Sequence, residues 1–222
     1  MSPLTNIRKL AISLAMFALV ALGFSTVAKA DPITLNTGNA GISGFPGPYA
    51  TVDVNRTSST MATITVTGLT QGGFTYLIGN GGSIGLNVTG VVTAYSIISF
   101  TQPQTSPGAP SYTRDDGSNL DGWGSFNFVL DNFDGYDHSV QTLVFTITCA
   151  ACNWATSADV LTPNASGNSV AAHIFVTTNG GTTNTGSTGF ATAGSVPEPT
   201  SMLLLGTGLM GIVAGIRKRS KK

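Results

Sequence analysis

Residues 61–67 read Met, Ala, Thr, Ile, Thr, Val, Thr, and this alternation constrains the fold more than any other feature of the chain. Ala62, Ile64 and Val66 fall on one face and Thr63, Thr65 and Thr67 on the other, the period of two of a half-buried strand. Ile84, Leu86 and Val88 alternate in the same way, as do Phe126, Phe128 and Leu130, then Leu143, Phe145 and Ile147, with a further run at 170–177. Residues 74–78 form one more short strand. The Gly79, Asn80, Gly81, Gly82 stretch after it reads as a hairpin turn, because an Asn-Gly step takes positive φ readily. Residues 91–100 are more uniformly apolar, which predicts a strand covered on both faces. About eight turn-separated strands without a convincing amphipathic helix predict a single all-β domain, a β-sandwich or jelly roll, with barrel closure as the alternative.

The formal net charge of zero hides an asymmetry. Arg8, Lys9 and Lys29 lie at one end and Arg217, Lys218, Arg219, Lys221 and Lys222 at the other. Between them stand nine aspartates against Arg56 and Arg114, a net charge of −7 with no lysine. Nucleic-acid binding is excluded on this ground, since phosphates are neutralised by clustered Lys or Arg.

The N-terminus supplies basic Arg8 and Lys9, an apolar run over 10–24, and Ala28, Lys29, Ala30 as an A-x-A cleavage site. Residues 1–30 therefore read as a secretory signal peptide cleaved after Ala30. Residues 31–179 are the exported all-β domain, opening on a Gly- and Pro-rich irregular segment. Residues 101–122 run through Pro103, Pro107 and Pro110 without periodicity, a loop length that is usually functional or disordered. Residues 180–195 are almost wholly Gly, Thr, Ser and Ala around a single Phe190, a composition that reads as a flexible linker; an edge strand around Phe190 is the alternative.

One internal echo stands out: Asn119, Asp121 and Trp123 repeat as Asn132, Asp134 and Tyr136, each set in an Asn-apolar-Asp-Gly-aromatic pattern. Two Asp-Gly turns followed by anchoring aromatics explain it. As ligand candidates, the six residues would instead hold Ca²⁺ through oxygens or present a sugar platform. An EF-hand is excluded, because its first ligand position falls on Gly117 or Leu130 and its twelfth on Phe128 or Gln141. No other metal site and no organic cofactor is expected. Asp131, Asp134 and Asp137 are too local to define a glycosidase pair across a cleft. Gly81, Ser83 and Gly85 match G-x-S-x-G, yet strand rather than helix follows, so the nucleophile elbow lacks its context. His138 and His173 are the only candidate bases, and no catalytic residue is assigned. Cys149 and Cys152, in an exported chain without a βαβ setting or further zinc ligands, form a candidate structural disulfide.

The tail has three parts: Val196, Pro197, Glu198, Pro199, Thr200; an apolar run over 202–216; and the five basic residues named above. The run would be about 22 Å long as a helix, short for a hydrocarbon core of about 30 Å, and the basic end would stay cytoplasmic. Residues 196–222 resemble the PEP-CTERM sorting signal of Gram-negative bacteria. The resemblance implies recognition of Pro197, Glu198 and Pro199 by an exosortase, a membrane protease. It also implies transient anchoring in the inner membrane by a transmembrane helix, then cleavage and sorting to the envelope surface or exterior, commonly beside exopolysaccharide or biofilm. The expected function is a non-enzymatic surface or matrix protein; a carbohydrate-binding or calcium-dependent adhesive module is the alternative, and a secreted hydrolase a remote one.

Overall fold

In a computed structural model, which describes residues 31–193, the alternating segments pair into an all-β domain. In chain order the strands are β1 (Ile33–Leu35), β2 (Thr37–Gly38), β3 (Ala50–Ser58), β4 (Met61–Gly68), β5 (Thr70–Gln71), β6 (Phe74–Ile78), β7 (Asn80–Leu86) and β8 (Ala94–Thr101). They continue as β9 (Thr113–Arg114), β10 (Asn119–Leu120), β11 (Gly124–Ser125), β12 (Phe128–Asn132), β13 (Thr142–Thr148), β14 (Val170–Thr178) and β15 (Thr183–Thr192). Among the described residues, helix is confined to short 3-10 turns.

One antiparallel sheet has the order β1-β3-β4-β13-β8; the larger has β2-β15-β14-β7-β12-β9, with β6 also on β14 and β5 on β6. Their facing sides close over one core. Val52, Ile64, Val66, Leu143 and Phe145 come from the first sheet, and Ile84, Leu86, Phe128, Ile174 and Val176 from the second. This is the layered arrangement in which each sheet buries its apolar face against the other.

The far sides of the sheets differ, and the sequence pattern follows the difference. On β13, buried and half-buried residues alternate, because only one face of its sheet is covered. On β14 every residue from Val170 to Thr177 is buried. Its second face lies under a smaller cluster of Leu120, Phe126, Val129 and Ala171, joined by Trp123 and Phe190. Gly85 makes room for this cluster, since a Cβ there would stand 2.9 Å from Leu120 Cδ2 and 3.0 Å from Phe126 Cγ.

Three expectations are corrected. Residues 79–82 are not a hairpin turn: β6 and β7 do not pair with each other but lie successively along β14, Ile78 opposite Ile174 and Ile84 opposite Ala172. The positive φ of Asn80 and Gly82 serves a kink in one long strand, next to a register shift against β12. The 91–100 run is not covered on both faces. It yields β8, an edge strand bonded to β13 alone, with Ile98 bulged out and 59% exposed.

The described part of residues 180–195 is not a flexible linker, and the alternative of a strand around Phe190 holds. Residues 183–192 form β15, paired along β14 on one side and with β2 on the other. In sequence only Phe190 marks this strand, because hydroxyls do much of the fixing: Thr185 donates to Val176 O at 2.8 Å, Thr188 to Ile174 O at 2.8 Å and Thr192 to Val170 O at 2.6 Å. The β domain thus extends to Thr192.

Candidate functional site

The echoed loops lie at the outer side of the larger sheet, and the fold treats the two copies differently. In the first, β10 and β11 form a small hairpin that turns through Gly122 at φ 88°. Asn119 and Asp121 remain exposed, and Asp121 Oδ2 accepts from Asn39 Nδ2 at 3.3 Å. Trp123 faces inward: Nε1 donates to Phe190 O at 3.2 Å, while its own carbonyl accepts from Asn164 and Asn168 Nδ2, both at 3.0 Å. In the second copy, Asn132 is fully buried, donating to His138 O at 2.8 Å and accepting from Ser111 N at 3.2 Å. Tyr136 donates to Gly181 O at 2.7 Å and sets its ring edge-on to Phe175. Asp134 is exposed, 3.7 Å from His138 Nδ1.

Trp123 and Tyr136 therefore flank one aromatic row. Trp123 and Phe190 pack on the same small cluster, joined by the Trp123 Nε1 bond; the Phe190 ring lies 4.3 Å from that of His173, His173 stacks on Phe175 at 5.8 Å, and Tyr136 closes the row. Phe175 is 6% and His173 8% exposed, so the middle of the row is packed, while Trp123, Phe190 and Tyr136 are half-buried. The polar tips of both flanking aromatics are engaged by backbone carbonyls, the bonding that buried Trp and Tyr require. Among the described residues, no three His, Cys, Asp or Glu side chains come together in a metal-holding group.

The groups with chemical potential are each held by structural bonds. Ser83 is buried in β7 and donates to Asn80 O at 2.6 Å. Asp131 is buried and accepts from Gly82 N; burial raises its pKa above the usual carboxylate value, although the Gly82 bond pulls the other way. His173 Nδ1 lies 2.8 Å from Gly81 O and Nε2 2.8 Å from Thr188 Oγ1, and burial lowers its pKa. His138 Nδ1 lies 2.8 Å from Ala109 O.

Cys149 and Cys152 are joined in a disulfide, with Cα atoms 5.3 Å apart. Beside it lies an open hollow of about 530 Å³, lined in part by Thr89, Gly90, Cys152, Asn153, Trp154 and Asp159. Its polar groups are engaged as well. Trp154 Nε1 donates to Thr89 O at 3.0 Å, and Arg56 Nε donates to Trp154 O at 2.6 Å. Asp159 accepts from Thr156 N at 2.7 Å and Thr156 Oγ1 at 2.9 Å, bonds that hold its carboxyl below the usual range.

The outer face of the five-stranded sheet is different. Register places Thr34, Thr51, Thr67, Thr142 and Thr101 side by side, one threonine from every strand of the sheet. Two further rungs follow: Asp53, Thr65, Val144, Ser99 and Asn55, Thr63, Thr146, Ser96. These positions recur at about 4.8 Å across strands and about 6.7 Å along them. Among the described residues, no hydrogen bond engages the hydroxyls of Thr63, Thr65, Thr67, Thr142 and Thr146. The threonine alternation of β4 is visible in sequence; the rungs are not, because they depend on which strands become neighbours.

The sequence-predicted sorting residues Val196, Pro197, Glu198, Pro199 and Thr200, the apolar run and basic tail, and the cleavage residues Ala28 and Ala30 lie outside the described residues. Among the described residues, no helix is long and apolar enough to cross a membrane. The body is thus an all-β, two-sheet domain whose chain continues into a tail of separate character. Residues 195–219 of that tail match the model of the PEP-CTERM protein-sorting motif. The chain thus carries a PEP-CTERM sorting motif, and the match is confined to its tail. The motif implies export with membrane transit and processing by an exosortase. No curated protein and no solved structure gives a significant match to the chain.

Proposed function

We propose that the β domain is a non-enzymatic component of the cell surface or extracellular matrix, which associates with exopolysaccharide through the threonine face of its five-stranded sheet. The observation behind this reading is that no hydrogen bond among the described residues engages the hydroxyls of Thr63, Thr65, Thr67, Thr142 and Thr146, which stand side by side on this face. A face of hydroxyls, methyls and one carboxylate can exchange bound water for the hydroxyls of a polysaccharide with little desolvation cost. Each contact is weak, but many repeats along a polymer reinforce one another. The non-enzymatic reading is supported by the structural bonds that hold Ser83, Asp131, His138 and His173.

In this account residues 1–30 are removed as a signal peptide. The 202–216 segment then spans the inner membrane transiently, with its basic end in the cytoplasm, and cleavage near Pro197, Glu198 and Pro199 releases the domain. A sugar platform or Ca²⁺ site on the echoed loops is the weaker reading, because Trp123 and Tyr136 are tied to backbone carbonyls.

Co-sedimentation of the exported protein with exopolysaccharide from the producing cells tests the proposal. Wild type should be retained. A Thr63→Val, Thr65→Val, Thr146→Val variant should lose retention with its melting temperature unchanged, since valine keeps the shape and strand preference. Equal retention of both proteins, or of neither, overturns it.

A further inference from the structure

The sequence contains three Asn-x-Ser/Thr triplets: Asn55 with Thr57, Asn87 with Thr89, and Asn164 with Ser166. In an exported chain each is formally an acceptor for N-linked glycan, and the fold separates them sharply. Asn87 Nδ2 donates to Thr162 O at 3.0 Å. Asn164 is more deeply committed: Nδ2 donates to Trp123 O at 3.0 Å and Ser125 O at 3.1 Å, while Oδ1 accepts from Ser166 N at 2.9 Å and Asn168 N at 3.0 Å. A sugar on either amide would disturb a bond that positions a loop.

Asn55 carries no such load. Its side chain is exposed, and no hydrogen bond engages its amide among the described residues. It lies on β3 beyond the reach of β1, whose pairing stops at Val52; no strand pairs with β3 on that side at this rung, and the next residue, Arg56, is bonded to Trp154 O and Ser157 Oγ. A branched polymer attached here can project past the sheet margin without crossing a neighbouring strand.

We infer that Asn55 is an N-glycosylation site, modified after export by transfer from a polyprenyl-diphosphate-linked glycan. The Asn55 Nδ2 forms a bond to C1 of the reducing-end sugar as the C1–O bond to the diphosphate breaks. The bonding pair leaves with the polyprenyl diphosphate, and one amide proton passes to a base of the transferase. Nothing is oxidised or reduced. Transfer precedes the pairing of β3 with β4, because an acceptor must leave the sheet to enter an active site; the fold then accommodates the product. Asn55 stands at the margin of the threonine face, in the rung of Thr63, Thr146 and Ser96, so a glycan there borders that face; the test below reads added mass alone and is decided without any measurement of polysaccharide binding.

The test is intact-mass and peptide mapping of the full chain expressed from its own gene in the producing bacterium. The expected result is a protein heavier than its polypeptide by a glycan that maps to the peptide containing Asn55. Asn55→Gln should remove the added mass, and so should Thr57→Ala, which keeps the asparagine, whereas Asn87→Gln and Asn164→Gln should retain it. A mass equal to the bare polypeptide, or a glycan that maps elsewhere and survives Asn55→Gln, overturns the inference.

Discussion

The side-chain carbonyl of Asn39 accepts from the backbone N–H of Phe190 at 3.0 Å, and the backbone N–H of Asn39 donates to Phe190 O at 2.8 Å, across 151 residues of sequence. Asn39 Oδ1 also accepts from Gly41 N at 3.3 Å. With β2 paired to β15 just beyond, the first strands of the exported body and its last strand meet at one sheet edge. β15 thus ends, at Thr192, beside Thr37 of β2.

Asn39→Ala should remove these side-chain bonds and lower stability by about 1–3 kcal/mol. The loss should be local first. Amide exchange across residues 183–192 should accelerate more than exchange in β4 or β13, as hydrogen-exchange mass spectrometry can resolve. Gly189→Ala should act similarly, because a Cβ there would collide with Asn39 Oδ1.

Trp123 and Tyr136 are anchors in this account. Trp123→Phe and Tyr136→Phe keep most of the packing and forfeit the bonds to Phe190 O and Gly181 O, so each should cost about 1 kcal/mol in chemical denaturation. Retention on exopolysaccharide should be unchanged. Loss of retention at unaltered stability would return both residues to the role of ligand contacts.

Replacing Cys149 and Cys152 together by alanine should lower stability by about 2 kcal/mol, the chain-entropy value for so short a loop. The far-ultraviolet circular dichroism should stay that of the wild type, because the core between the sheets does not depend on the bond. Thermal melts of the two proteins make the comparison.

Two buried groups impose opposite pH dependences. Burial lowers the pKa of His173 below its ordinary 6.5, so the unfolded chain takes up this proton first as pH falls. The stability His173 contributes is complete above pH 6.5 and declines as pH drops toward the folded-state pKa. Burial raises Asp131 above 3.8, so its ionised form is the costly one, and stability increases as pH falls through the raised value toward 3.8. Urea midpoints between pH 8 and pH 5 should decline for wild type and flatten in His173→Gln. Asp131→Asn should be more stable than wild type at neutral pH and lose that advantage at acid pH.

The strands that were legible in sequence are those whose alternation is apolar against polar. Met61–Gly68 and Thr142–Thr148 read directly because only one of their faces is covered. β15 was legible only as an alternative around Phe190, because Gly, Thr and Ser carry no hydrophobic period, and its order comes from hydroxyl bonds to the β14 backbone. Asn80 and Gly82 misled because positive φ is common to a hairpin turn and to a kink, and only the partner strand tells them apart. The echoed motif and its anchoring aromatics were legible, but the burial of Asn132 and the cluster that Trp123 packs against depend on a second layer that no local pattern encodes. The threonine rungs required the order β1-β3-β4-β13-β8, which is a property of topology.

The central claim is that the PEP-CTERM tail delivers the β domain outside the cell and is then removed. Mass spectrometry of the C-terminal peptide, on protein recovered from membrane and extracellular fractions, tests it most directly. The wild-type extracellular protein should end near the Val196 to Thr200 stretch and lack Arg217 and all that follows. A variant with Pro197, Glu198 and Pro199 changed to alanine should stay with the membrane and keep Lys222. Extracellular wild type that still carries Lys222, or a variant cut and released like wild type, would contradict the account.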